Sequence, residues 1–245
     1  LLRHHPIPEV RDTAVTIEQA LRAAFPSSFS HKRYEESETY AKRLMSEYFY
    51  HKIDQCDFEV VQDRIDRQML PQTLLSLRPE KTELPRNSAQ WGDIIFAFTL
   101  DFGSFRDIQR HRAVTQRMPL LTADLGFEIW YLDELPTDIR KQAETLLKEQ
   151  ERAITKPAIV PEERQYYYAM GYRLSNLLSG SLGALTYLVE LRSTRFVHPT
   201  LRRQAIQMAE YLNKEFASYG LVLHLDQESD RFDVKRGMHD IELKK

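Results

Sequence analysis

The sequence predicts a helix-rich α+β fold with strands in its middle and last third, and three observations carry that reading. Apolar residues recur four apart in several long segments, as they do along one face of a helix. The stretch 113–132, with β-branched residues, a Pro and a Gly, suits irregular structure and short strands, and the tyrosine-rich stretch 164–180 reads as strand. Prolines and glycines punctuate the chain between these segments.

Taken in order, TAVTIEQALRAAF (13–25) puts Val15, Ile17, Ala20, Leu21 and Ala24 on one side of a short amphipathic helix. Pro26 and the serines after it end that helix and suggest a linker. ESETYAKRLMSEYFY (36–50) reads as helix, with Tyr40, Leu44 and Tyr48 four apart, and DFEVVQDRIDRQML (57–70) continues the pattern with Val61, Ile65 and Met69. Pro71, Pro79 and Pro85 make 71–88 an irregular connector with room for one short helix. SAQWGDIIFAFTLDF (88–102) is apolar and aromatic, hence buried. A helix is expected at 136–153, with Thr137 and Asp138 as cap candidates and Ile139, Ala143, Leu146 and Leu147 as its apolar stripe. Residues 164–180 read as strand, and 182–192 as a helix with Leu182, Leu185, Leu188 and Val189 inward. The strongest helix is 198–216: Pro199 suits its first turn, and Leu201, Ala205, Met208, Leu212 and Phe216 share a face.

Composition narrows the function. The 245 residues suffice for one large domain or a domain with appendages, and a net charge of −2 provides no broad positive field for nucleic acid or an anionic membrane. Cys56 is the single cysteine, which excludes an internal disulfide and thiolate zinc sites and suits a reducing cytoplasm. No apolar run approaches the ~20 residues that span a bilayer. The opening LLRHHPIPEV starts at Leu1 without a secretory core, as expected for part of a longer polypeptide. No metal site is expected, because no two histidines stand at i, i+4 with a carboxylate. Dinucleotide and phosphate-loop glycine patterns and a serine elbow are also missing.

Three places remain as candidates for chemistry. FRDIQRHR (105–112) gathers Arg106, Arg110, His111 and Arg112 directly after the buried stretch. At helical spacing Arg106 and Arg110 lie one turn apart on one face, and guanidinium groups grip phosphate in two-pronged fashion. A solvated basic helix end accounts for the same residues. Arg192 closes an apolar helix with His198 six residues on, and Tyr166, Tyr167 and Tyr168 precede Arg173. On their own, the first pair reads as a helix-end cation and its connector, and the tyrosines as packing.

Together the three places resemble the flavin-dependent thymidylate synthases. That family has an R-H-R-x-x-S-x-N-x-x-S-x-R signature preceded by an arginine, then a helix ending in leucine-arginine, a histidine, and a helix starting near alanine-glutamine. Arg106, Arg110, His111 and Arg112 match the first block, and LVELR, His198 and RRQA match the second. The resemblance covers about residues 36–217. It is closest to a longer subgroup with two such domains in one polypeptide, on DFGSFRDIQRHR, LLTADLG and ELRSTRFVHP.

The resemblance implies a flavin domain over 31–217 with a small, mostly antiparallel sheet, an N-terminal helical extension or linker over 1–30, and a charged C-terminal tail over 218–245. It implies FAD as cofactor, NADPH and methylenetetrahydrofolate as cosubstrates, and methylation of dUMP at C5 to give dTMP. It implies Arg110, His111, Arg112 and His198 at the flavin, Arg192 as the catalytic cation on the uracil ring, and Arg106, Arg117 and Arg173 toward the nucleotide. Oligomerisation as a homotetramer, or a second like domain in the same polypeptide, is implied with it. The signature is not intact: Thr115, Arg117, Leu120 and Thr122 stand where the family has Ser, Asn, Ser and Arg, and Ser181 and Tyr187 where it often has flavin-facing asparagines. Leucine makes no hydrogen bond and threonine carries no charge for a phosphate. The expectation is therefore a chain that binds FAD more readily than dUMP. Two rivals stand beside the enzyme: a non-catalytic domain that keeps the fold for assembly or beside an intact partner half, and a flavoprotein acting on another nucleotide or pyrimidine.

Overall fold

Isoleucine, phenylalanine and threonine crowd residues 94–101, IIFAFTLD. Branched and aromatic side chains pack well on a pleated surface, which favours extended backbone there. The structure, a computed structural model, describes residues 2–5, 7–30, 34–44, 56–155 and 159–228. In chain order it runs through helices α1 (Pro8–Ala24) and α2 (Glu35–Leu44), strand β1 (Phe58–Asp63), helix α3 (Gln72–Ser76) and strand β2 (Ile94–Asp101). Helix α4 (Phe102–Ile108), strand β3 (Thr115–Arg117) and helices α5 (Ile129–Asp133), α6 (Thr137–Thr155) and α7 (Pro161–Arg164) come next. Strand β4 (Arg173–Gly180) and helices α8 (Leu182–Arg192) and α9 (Pro199–Phe216) complete the order. The architecture is α+β.

The four strands form one antiparallel sheet in the order β1-β2-β4-β3. Phe58 pairs with Phe98 and Val60 with Phe96, and β4 runs the full length of β2 from Gly180 opposite Ile94 to Arg173 opposite Asp101. Ile94, Phe96, Phe98 and Leu100 alternate onto one face, where α8 and α9 cover them. Leu182, Leu185, Leu188 and Val189 of α8, and Leu201, Met208, Leu212 and Phe216 of α9, are buried in the same core. The inward stripes expected for both helices are borne out. Burying each of these side chains contributes on the order of 1.5–3 kcal/mol.

Several expectations are corrected. Residues 57–70 are not helical: 58–63 are β1, followed by a short 3-10 turn at Arg67–Met69. Phe58 and Val60 pack on the core while Val61 is exposed, so the operative period is two, and pairing with β2 overrides the four-residue spacing. Tyr166 and Tyr167 lie in a 3-10 turn with both rings exposed, and only 173–180 of the expected strand is extended. The α4 helix ends at Ile108, so Arg110 does not share a helical face with Arg106. Thr137 and Asp138 sit in the first turn of α6 rather than before it, where the Arg140 amide bonds to Pro136 O, and Ile139 and Leu146 of its stripe are exposed. The connector 71–88 holds the short helix α3, and a 3-10 helix at Arg86–Trp91 begins at its end. Helix α1 buries none of its residues, and Val15, Ile17 and Leu21 are exposed. Tyr48 and the remainder of 45–50 lie outside the described residues.

Beyond α9 the chain folds back as a strap. Leu221 is buried, Arg78 donates to Val222 O at 2.7 Å and pairs with Glu190, and the His224 amide bonds to Glu190 Oε1 at 2.8 Å. Arg202 reaches Ser193 O at 2.7 Å and Glu228 O at 2.6 Å. These bonds brace the α8–α9 corner that carries Arg192 and His198.

Gly92 enters β2 with φ 113°, and a Cβ there would stand 2.2 Å from Arg64 O. Backbone in that region costs a side chain on the order of 1–3 kcal/mol before the clash is counted. Gly92→Ala is expected to lower the urea midpoint clearly, with an unchanged midpoint showing that the turn yields.

Candidate functional site

Asp101 ends β2 and caps α4, its Oδ2 accepting from the Ser104 amide at 2.8 Å. A buried strand therefore turns at once into a short helix, and the chain leaving α4 delivers Arg110, His111 and Arg112 in a turn. His111 is buried, and its ring faces Tyr187 of α8 edge-on at 5.9 Å. Arg192, also buried, donates from Nε to His111 Nε2 at 2.8 Å and from Nη2 to Asp107 O at 2.8 Å. Its Nη1 stands 3.9 Å from the Asp107 carboxylate. Because Nε2 accepts, neutral His111 carries its proton on Nδ1. Burial first, and the Arg192 guanidinium second, push the His111 pKa down to about 4, with Asp107 pulling weakly the other way.

These residues border a cleft of about 260 Å³ lined by Arg110, His111, Arg112, Ala184, Tyr187 and Arg192, among others. Arg110 and Arg112 are exposed at its rim, and Arg110 makes a loose ion pair with Asp107 at 3.8 Å. Two sequence blocks about 80 residues apart thus meet in one place. A buried guanidinium spent on a neutral imidazole leaves the exposed arginines to meet an anion.

His198 belongs to a second cluster, which meets α4 through Ser104. Its Nδ1 lies 2.8 Å from Thr200 Oγ1 and 3.3 Å from Ser104 Oγ, and its ring packs edge-on to Trp130 at 4.4 Å and beside Tyr131 at 5.1 Å. Asp101, with no exposed surface, accepts from Thr200 Oγ1 at 2.6 Å and Tyr131 Oη at 3.0 Å. Burial and then the Asp101 charge hold the Tyr131 phenol well above its usual range. Burial pushes His198 below its ordinary value, opposed by Asp101.

The remaining site candidates lie apart from the cleft. Arg106 is exposed on α4, its Nη1 3.7 Å from Met170 Sδ. Arg117 ends β3 opposite Leu177. Arg173 begins β4 and donates from Nε and Nη2 to Leu125 O at 3.0 and 2.5 Å. Ser181 caps α8 by accepting from the Ala184 amide, and Thr122 Oγ1 accepts from the Asp124 amide at 3.3 Å. Sequence reasoning missed Asp101, Ser104, Asp107, Trp130, Tyr131 and Thr200. Only Asp101 carried a signal: an acid closing an apolar run, three residues before a serine. Among the described residues no group of three His, Cys, Asp or Glu side chains is placed to hold a metal, and no helix is long and apolar enough to cross a membrane.

No protein-family model matches the chain. It is distantly similar to UPF0159 proteins. One from Chlamydia muridarum is 32% identical over 146 residues, which take in 59% of this chain and 27% of that protein. Another, from Thermoplasma acidophilum, is 33% identical over 116 residues, covering 46% and 23%. A third, from Chlamydia pneumoniae, is 31% identical over 137 residues, covering 55% and 25%. The chain therefore spans about a quarter of the length of the curated relatives it matches.

Proposed function

We propose that this chain is a flavin-dependent thymidylate synthase-like domain, which binds FAD at the Arg110–Arg112 turn and takes part in reductive methylation of dUMP. The observation that carries the reading is the convergence of Arg110, His111 and Arg112 with Tyr187 and Arg192 around one cleft. The donor set fits part of a flavin nucleotide: two exposed guanidinium groups for phosphate, and an aromatic ring beside a neutral imidazole for a flat heterocycle. At about 260 Å³ the cleft is smaller than the ~300–1,000 Å³ of ordinary ligand pockets. A second subunit, or a second like domain, is accordingly proposed to complete it.

The chemistry that a bound reduced flavin supplies is the two-electron reduction turning a transferred methylene into a methyl group. This chain's residues do the holding. Arg110 and Arg112 neutralise phosphate, and His111, neutral at pH 7, accepts from Arg192 and keeps that guanidinium in one orientation. Arg192 places a fixed positive charge beside the cleft, where negative charge developing on a pyrimidine ring is stabilised. NADPH and methylenetetrahydrofolate are the proposed cosubstrates.

Each charge-assisted bond to phosphate is worth about 1.5–3 kcal/mol, and about 1.4 kcal/mol is tenfold in affinity. Arg110→Ala is therefore expected to weaken FAD at least tenfold, read as loss of visible absorbance after gel filtration, with far-UV dichroism unchanged. Full flavin retention in that variant returns the turn to solvated surface. A second reading, a catalytically degenerate domain serving assembly or a partner site, is favoured by Leu120 and by Thr122, whose hydroxyl is used in a local turn. Calorimetric titration of dUMP into the chain separates the two: micromolar binding supports the enzyme.

A further inference from the structure

Hydroxyl protons can be counted around His198. Asp101, as a carboxylate without exposed surface, accepts from the Ser104 amide and Tyr131 Oη on one oxygen and from Thr200 Oγ1 on the other. Thr200 owns a single hydroxyl proton, and at 2.6 Å that proton is committed to Asp101. Its oxygen is then an acceptor towards every other neighbour. Those neighbours are Ser104 Oγ at 2.8 Å and His198 Nδ1 at 2.8 Å. An imidazole nitrogen with a bare lone pair would repel that oxygen at such a distance, so Nδ1 must hold a hydrogen.

We propose that Asp101 and Thr200 are positioning residues that hold neutral His198 as the Nδ1–H tautomer, making Nε2 the acceptor end of the ring for an N–H of a flavin or pyrimidine. The relay is Nδ1–H to Thr200 Oγ1, and Thr200 O–H to Asp101. Ser104 Oγ, 3.3 Å from Nδ1, donates its own proton to Thr200 and adds a second, longer acceptor for the imidazole proton. Trp130 and Tyr131 pack against the ring, at centroid distances of 4.4 and 5.1 Å. Burial lowers the affinity of His198 for a second proton, which leaves the neutral ring as the form present at pH 7. The ligand clause rests on the proposed flavin function, whereas the tautomer is a property of the chain alone.

The test is long-range proton–nitrogen correlation NMR on the ¹⁵N-labelled chain near pH 7 without ligand. His198 is expected to give a protonated-type Nδ1 and a bare-type Nε2. Thr200→Val is expected to move the ring to the Nε2–H form, and Thr200→Ser to restore the native pattern. An Nε2–H ring in the native chain, or a Thr200→Val spectrum like the native one, overturns the proposal; should the valine variant fail to fold, the native spectrum decides. FAD is then added and uptake read from its absorbance. In a sample that has taken up flavin, a shifted Nε2 resonance supports the ligand clause and an unmoved one overturns it. A chain that takes up no flavin counts against the proposed function and leaves the tautomer result standing.

Discussion

Asp101→Ala is expected to be the most damaging single substitution in the described chain, lowering stability by about 3–5 kcal/mol. The carboxylate is fully buried and receives three donors: the Ser104 amide, Tyr131 Oη and Thr200 Oγ1. Alanine strands all three in a water-poor environment, and each abandoned buried donor costs about 1–3 kcal/mol before relaxation. The Ser104 amide among them is the one capped at the start of α4, so the same loss also loosens the start of that helix. Against the 5–15 kcal/mol typical of a folded domain, that loss brings the protein near its threshold. Urea denaturation measures it directly, and a loss under 1 kcal/mol would mean that water replaces the carboxylate.

The second large effect is expected at Arg192, where it joins stability to titration. Arg192→Met keeps the stem but leaves His111 Nε2 and Asp107 O without their donor, for an expected loss of about 2–4 kcal/mol. His111 also reports the change by its pH dependence. In the native protein its pKa is about 4, below the ordinary 6.5, so the unfolded chain takes a proton first as pH falls. The stability tied to His111 is present in full above pH 6.5 and is lost between about 6.5 and 4. Burial, the larger cause, survives in Arg192→Met, while the guanidinium does not. The His111 pKa should therefore rise part of the way to its ordinary value, and the acid-side slope should flatten. NMR titration of the ring reads this, and a pKa still near 4 in the variant would assign the whole shift to burial.

Helix α9 was legible residue by residue, since it carries a long apolar stripe whose period no neighbour contests, and α8 was legible as an apolar segment buried on most of its sides. The α+β class was legible too. The strand at 58–63 was not, because Val61, Ile65 and Met69 imitate a helical face, and only β2 shows that Phe58 and Val60 point inward. Tyrosine content misled at Tyr166 and Tyr167 for a related reason: strand propensity expresses packing on a sheet, and both rings stand exposed in a 3-10 turn. The RHR turn and Arg192 could be named as candidates, yet their spacing said nothing of contact.

What the sequence by itself determined, then, is local: helical periods, the breaks at proline and glycine, and the residue types available for binding. Tertiary structure decided which cations are buried and spent and which remain at a rim. Arg192 and Arg110 look alike as letters, but one lies against His111 and Asp107 and the other faces solvent beside a cleft. It also decided that Asp101, Ser104, Tyr131, His198 and Thr200, drawn from three separate stretches, form one hydrogen-bonded unit. The physical reason is one of range. Backbone propensity acts over a few residues, whereas burial and donor–acceptor matching depend on which surfaces the sheet and the α8–α9 pair bring together.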